Sequence, residues 1–105
     1  MDYRISDFLS QAELLAMLAE EAAELGQAAL KLRRVLDGSN PTPVGYELAK
    51  KNLIEEAADV LLCMRTVHAL DDQRTIELIK AKKYQRWLER LGKARRAEDD
   101  VRIPD

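Results

Sequence analysis

The sequence has little of several features that would place it in other protein classes. Its one cysteine, Cys63, cannot form an internal disulfide, which is typical of a protein from a reducing compartment. No apolar run approaches the ~20 residues that cross a bilayer, and the N-terminal MDYRISDFLSQAE lacks the apolar core of a signal peptide. The net charge is only −2, whereas general nucleic-acid binders are basic. We therefore expect a cytoplasmic protein that binds neither membranes nor nucleic acids.

Glycine and proline are also scarce, and the rest of the composition favours helices. Only 4 of the 105 residues are Gly and 3 are Pro, whereas 47% are apolar and 34% are charged. No segment shows the alternation of a strand, so we predict a single all-α domain over residues 1–105. A chain this short buries only about two-thirds of its unfolded surface. Long amphipathic helices in such a chain therefore predict a homo-oligomer, either a dimer or a tetramer.

Capping and breaking residues divide the chain into three predicted helices. Ser10 and Glu13 form a capping-box pattern, and Gly38 is a typical helix end. Thr42 and Pro43 fit the N-cap and first position of a second helix. Asp71 and Asp72 are predicted to cap the third helix, which is predicted to end near Gly92. The predicted elements are helices over 10–37, 43–70 and 73–91 and a charged tail, mobile or resting on a neighbouring subunit, over 92–105.

Apolar residues recur at the 4-3 spacing of a coiled-coil seam in the first two helices. In the first helix they are Leu18, Ala22, Leu25, Ala29, Leu32 and Leu36. In the second helix they are Leu53, Ala57, Val60, Met64 and Val67. Antiparallel packing of these two helices, repeated in a second subunit, would give a four-helix-bundle core.

An acidic phrase occurs twice, as LAEEAAEL in the first helix and LIEEAADV in the second. At about 100° per residue, each copy places an i, i+3 pair of carboxylates on the same side of its seam. The pairs are Glu21 with Glu24, and Glu56 with Asp59. The first acid of each pair lies about 60° from the seam and the second about 120°. Antiparallel packing would therefore bring four acids together beside a partly buried surface.

Four converging carboxylates repel one another unless a cation neutralises them or some of them hold protons. Ligands that are all oxygen favour a hard cation, and Mg²⁺ commonly binds a few carboxylates together with substrate phosphates. The alternative is that both copies are ordinary helix surface. A di-iron site of the ferritin type is not favoured, because no Glu-x-x-His pair occurs. Cys63, one turn beyond Asp59, is predicted to be a buried small hydrophobic residue.

EEAAE followed by EEAAD resembles the EExxE…ExxD signature of the MazG-like all-α nucleoside triphosphate pyrophosphohydrolases. The resemblance continues through NPTPVGYELAKKNLIEEAADVLLCM and KAKKYQRWLERL and covers about residues 10–91. It implies that Glu21, Glu24, Glu56 and Asp59 bind Mg²⁺, and any one of these acids could also activate the attacking water. It also implies hydrolysis of the α–β phosphate bond of (d)NTPs to a monophosphate and pyrophosphate. Members of the family act on different nucleotides, so base and sugar stay open.

The third helix carries basic residues on its apolar side, where they are unusual. Lys80 and Lys83 lie within the arc of apolar residues around the third helix, and Arg86 lies about 80° from the centre of that arc. Resemblance to the final helix of the family implies that these three residues bind the substrate phosphates. The alternative is that the lysines reach solvent and pair with acids of the same helix. Relatives often carry an Asn beside these cations, but Tyr84 and Gln85 follow Lys83 here.

Two other functions fit the same sequence. One is a helical module whose seams only form an oligomer. The other is a relative that binds nucleotides but has lost catalysis, since the Asn is missing. Mg²⁺-dependent turnover would separate the enzyme from both.

Overall fold

A computed structural model of the protein describes residues 3–39 and 45–101, and within these ranges the chain is all-α, as predicted. A short 3₁₀ helix at Ile5–Asp7 comes first. The three long helices are α1 (Gln11–Asp37), α2 (Tyr46–Thr66) and α3 (Gln73–Val101), and a second 3₁₀ turn at His68–Leu70 separates the last two. Within the described ranges, none of these helices has a stretch long and apolar enough to cross a bilayer.

Both predicted ends of α1 are confirmed. The Ser10 hydroxyl accepts a hydrogen bond from the Glu13 N–H at 3.1 Å, and the Glu13 carboxylate accepts one from the Ser10 N–H at 3.1 Å. At the other end, Gly38 adopts φ 66°, and its N–H donates to the Arg34 carbonyl at 2.9 Å. This left-handed conformation strains residues that have a Cβ, which is why a glycine ends the helix here.

The start of α2 differs from the prediction. The helix begins at Tyr46 rather than at Pro43, because Gly45 has an extended backbone with φ −75° and ψ 168°. Among the described residues, no side chain forms a capping hydrogen bond at this end of the helix. Thr42 and Pro43, which were predicted to cap it, lie outside the described residues.

The end of α2 also differs, and a residue distant in sequence is responsible. The helix ends at Thr66 rather than near Leu70, and Val67 is extended and only 2% exposed. The Gln11 side chain donates to the Thr66 carbonyl at 3.2 Å and accepts from the His68 N–H at 2.8 Å. The Gln11 amide thus satisfies backbone groups that a longer helix would have paired internally. It also joins the start of α1 to the end of α2, so the two helices are antiparallel.

The start of α3 is confirmed, but its predicted end is wrong. Asp72 accepts hydrogen bonds from the Thr75 N–H at 3.0 Å and from the Thr75 hydroxyl at 2.7 Å. The helix then passes through Gly92 to Val101, so most of the predicted charged tail is helical. A glycine inside a helix costs only about 1 kcal/mol relative to alanine. The Lys, Ala, Arg and Glu residues that follow it are good helix formers and continue the helix.

The chain forms two compact units, one up to Asp71 and one from Asp72 onwards. The first unit is the hairpin in which α1 packs against α2, and the second is α3. The buried apolar residues, all in the hairpin, are Leu14, Ala28, Ala49, Cys63 and Val67. The hairpin therefore holds the core of the described chain.

The face of α1 that meets α2 is rotated from the predicted seam, whereas every predicted seam residue of α2 is half-buried or buried. Leu14 and Ala28 are buried on α1, whereas Ala22 and Ala29 of the predicted seam are exposed. This corresponds to a rotation of about 50°. The α1 seam was predicted correctly only in part, with Leu18, Leu25 and Leu32 half-buried, because α1 has apolar residues over a wider arc than one partner helix can cover. The rotation moves Glu21 from the edge of the seam into the contact with α2.

Candidate functional site

Three of the four predicted metal ligands converge in the hairpin. One carboxylate oxygen from each of Glu21, Glu24 and Glu56 lies within 4.8 Å of the other two. Glu21 and Glu56 are half-buried where α1 meets α2, whereas Glu24 is exposed beside them. We call these three residues the carboxylate triad. The three residues come together because the two copies of the acidic phrase, one on α1 and one on α2, lie beside each other in the antiparallel helix pair.

Asp59, the fourth predicted ligand, is not in the triad. It is exposed and lies three residues beyond Glu56 on α2. Its negative charge still reaches the site, because it contributes to the raised pKa of both Glu21 and Glu56. Asp59 therefore adds to the negative potential beside the triad.

Two oxygens of the triad are buried and have no hydrogen-bond partner among the described residues. They are the Oε2 atoms of Glu21 and Glu56. An ionised carboxylate can only accept hydrogen bonds, so one member of the triad cannot satisfy another unless one of them holds a proton. A buried polar atom without a partner is costly. The two Oε2 atoms therefore need a partner that brings a hydrogen-bond donor or a positive charge, such as a proton, a water molecule or a cation.

The electrostatics of the site lead to the same requirement. Burial raises the pKa of the Glu21 carboxyl above its usual range, and the charges of Glu24 and Asp59 raise it further. Burial likewise raises the pKa of Glu56, followed by the charge of Glu24. Glu21 and Glu56 thus resist ionisation, first because they are partly buried and then because other carboxylates are near.

The donor set fits a hard divalent cation. All of its atoms are carboxylate oxygens, which suit Mg²⁺. The nearby Cys63 is buried, as predicted, and burial raises the pKa of its thiol. A protonated thiol is a poor ligand for a hard cation, so Cys63 serves as a packing residue.

A cleft beside the triad contains polar residues that the sequence analysis did not identify. Its volume is about 350 Å³, and it is lined by Glu24, Gln27, Ala28, Lys31, Ala49, Asn52 and Glu56. Spacing could have indicated two of them. Lys31 follows Glu24 by seven residues and Asn52 precedes Glu56 by four, which places each on the same helix face as its acid.

The predicted phosphate-binding residues lie together on α3. Lys80, Lys83 and Arg86 line one groove, which Trp87 and Arg90 also line, and all five are exposed. Lys80 pairs with Glu77 of the same helix at 3.2 Å, as the alternative interpretation of the lysines predicted. Within the described ranges, Lys83 and Arg86 make no ion pair. The carboxylates belong to the first unit and this basic groove to the second.

Comparison with known proteins gives no relative. No protein-family model matches the chain, and neither a curated protein nor a solved structure matches it. The MazG-like resemblance therefore stays a prediction, which depends on the quoted motifs.

Proposed function

We propose that this protein is a cytoplasmic, Mg²⁺-dependent nucleoside triphosphate pyrophosphohydrolase of the MazG-like kind. It would hydrolyse the α–β phosphate bond of (d)NTPs and release a monophosphate and pyrophosphate. The observation that carries the proposal is the carboxylate triad with its two buried oxygens, since a bound cation would satisfy both. Exposed acidic groups are common without such a function, but buried carboxylate oxygens without partners are not.

In this proposal the acidic residues of the hairpin have different roles. Glu21, Glu24 and Glu56 hold Mg²⁺, and Asp59 adds negative charge beside them. When bound, Mg²⁺ supplies charge neutralisation for the phosphates and a more acidic water. One of these four acids takes the proton from the attacking water. The rest of the site has to bind and orient the nucleotide.

Basic residues of α3 are the proposed partners of the phosphates. Lys83 and Arg86 are exposed and make no ion pair with another described residue, so both are available to an anion. Lys80 would have to exchange Glu77 for a phosphate. That exchange is feasible because exposed ion pairs contribute little, on the order of 0–1 kcal/mol.

A product assay over a panel of nucleotides tests the proposal. The NTPs, dNTPs and modified nucleotides are incubated with the full chain at millimolar Mg²⁺ or with EDTA, and the phosphorus products are identified. We expect a monophosphate and pyrophosphate from at least one substrate, only with Mg²⁺. Release of orthophosphate and a diphosphate would show a different bond specificity. No turnover of any nucleotide would leave the oligomerisation or nucleotide-binding module as the better interpretation.

The proposed assembly is a homo-oligomer whose core is a four-helix bundle made of two hairpins. Large apolar residues on one side of each hairpin are exposed, including Leu15, Leu36, Ile54 and Leu61 at 49–68%. Around the axis of α1, Leu15 and Leu36 lie about 50–110° to one side of the face that packs on α2. Glu24 lies about 70° to the other side of that face. Contact between two hairpins through this apolar face would cover it and leave the triad accessible.

Charge placed on the apolar face should separate the subunits. We expect Leu61→Glu to convert the dimer to a monomer, because each copy would have to bury a carboxylate in the contact. The matched control is Leu62→Glu, since Leu62 is equally exposed at 59% but faces away from this side of α2. Sedimentation velocity gives the masses. A folded wild-type particle of 12.0 kDa at micromolar concentration would contradict the assembly.

A further inference from the structure

The cleft beside the triad contains three polar side chains to which the proposed metal site gives no role. They are Gln27 and Lys31 on α1 and Asn52 on α2. All three are exposed, and none makes a hydrogen bond or ion pair with another residue in the described ranges. The two buried residues that line the cleft, Ala28 and Ala49, have only methyl side chains and so leave it open.

The size and the chemistry of the cleft suit a planar heterocycle with polar edges. Its volume of about 350 Å³ is within the range of small-molecule sites. The side-chain amides of Gln27 and Asn52 each offer a donor next to an acceptor, as the edge of a nucleobase does. The Lys31 ammonium can only donate, so it needs an acceptor such as a carbonyl oxygen. Glu24 and Glu56 join this cleft to the triad.

We propose that this cleft binds the nucleobase of the substrate and that Lys31 selects keto bases over adenine. This inference rests on the proposed function. Gln27 and Asn52 pair with the adjoining N–H and C=O groups of guanine, uracil or thymine, and Lys31 donates to a carbonyl oxygen. Adenine has an amino group where these bases have the carbonyl, so it would face Lys31 with a second donor. The two amides therefore supply base recognition from the hairpin, although α3 lacks the Asn often found in the MazG-like family that the sequence resembles.

Equilibrium binding to the full chain tests this assignment without any turnover. The affinities of GMP, UMP and AMP are measured by calorimetry in EDTA for wild type, Lys31→Met and Asn52→Ala. We expect wild type to prefer GMP and UMP. Lys31→Met should lose about tenfold or more in affinity for both but not for AMP, because hydrogen bonds to charged groups are the stronger ones. Asn52→Ala should weaken the binding of all three, and the loss for Gln27→Ala should be similar.

Two control variants are matched in chemistry and lie outside the cleft. Lys51→Met removes a positive charge from an exposed position of α2, and Gln85→Ala removes an exposed amide from α3. Both should bind like wild type. Because all the substituted residues are exposed, thermal melts should show every variant folded.

The outcomes separate this inference from the proposed hydrolysis. Base-selective binding that depends on Lys31 and Asn52, without turnover, would support the cleft and overturn the hydrolase. The opposite outcome is turnover by wild type together with an unchanged KM and unchanged monophosphate affinities in Lys31→Met and Asn52→Ala. It would contradict nucleobase binding in the cleft but not the proposed hydrolysis. Binding of AMP as tight as that of GMP, or no binding of any monophosphate at millimolar concentration, would also overturn the cleft.

Discussion

If the proposed function is right, we expect Glu21→Gln to lower Mg²⁺-dependent pyrophosphate release by at least about a hundredfold, and we expect the same of Glu24→Gln and Glu56→Gln. These are the expected results because each residue contributes an oxygen to the triad and an amide has no charge to give a cation. A metal ion supplies several kcal/mol of charge stabilisation, and every 1.36 kcal/mol is a tenfold change in rate. Asp59→Asn should cost less, about tenfold, since Asp59 lies outside the triad. Initial rates over a range of Mg²⁺ concentrations measure all four variants.

The control for this series is the neighbouring acid of the same repeat. Glu20→Gln makes the same chemical change one residue away, at an exposed position that is not in the triad. It should retain wild-type activity. Glu55→Gln is a weaker control, because the Glu55 charge contributes to the raised pKa of Glu56. Damage from Glu20→Gln as severe as that from Glu21→Gln would mean that the proposed ligand set is wrong.

The double variant Glu21→Gln/Glu56→Gln should melt at a higher temperature than wild type in EDTA and should lose the response to Mg²⁺. In wild type the two buried Oε2 atoms have no hydrogen-bond partner within the part of the chain that the structure describes, and an amide would give each position a donor for its carboxylate neighbours. A ligand at a hundredfold its Kd stabilises the folded state by about 2.7 kcal/mol, which corresponds to roughly 10 °C for a chain of this size. Melts at matched ionic strength measure both effects. Equal Mg²⁺ shifts in the two proteins would place the ion elsewhere.

The same carboxyl groups predict how the stability of the metal-free protein depends on pH. The pKa of Glu21 and of Glu56 is raised in the folded state, mainly by burial, so the folded protein binds these protons more tightly than the unfolded chain does. Their stabilising contribution is therefore complete below the unfolded pKa and is lost as the pH rises through the folded pKa. Wild type in EDTA should gain stability relative to the double variant as the pH falls from neutral to the usual glutamate pKa of 4.5.

Comparison with the variant is necessary because other carboxyl groups act in the opposite direction. Hydrogen bonds from Ser10 lower the pKa of Glu13, and hydrogen bonds from Thr75 lower that of Asp72. Those groups stabilise the folded state at neutral pH and lose that effect as the pH falls. They are unchanged in the double variant, so the difference between the two pH profiles reports the two substituted carboxyl groups, Glu21 and Glu56. Parallel profiles would contradict the raised pKa values.

The helix ends could be predicted from the sequence only where the residues that determine them are close together in the chain. The first turn of α1, its glycine end and the Asp72 cap depend on residues within a few positions of one another, and all three were predicted correctly. The end of α2 was not, because the groups that stop it belong to Gln11, 55 residues away. The continuation of α3 through Gly92 reflects a small local penalty that the surrounding helix formers outweigh.

The candidate site, too, could be predicted from the sequence only in part. Period and spacing are local properties of a helix, so the repeated phrase by itself determined that four acids lie on two helices in the same register. Only the packing of α1 on α2 decided that Glu21 and Glu56 enter the contact while Asp59 stays outside the triad. Packing also decided that Gln27, Lys31 and Asn52 share a cleft with the acids. The physical reason is that α1 is apolar over a wide arc, and the rotation of a helix within such an arc depends on how well the partner's side chains fit, which periodicity does not record.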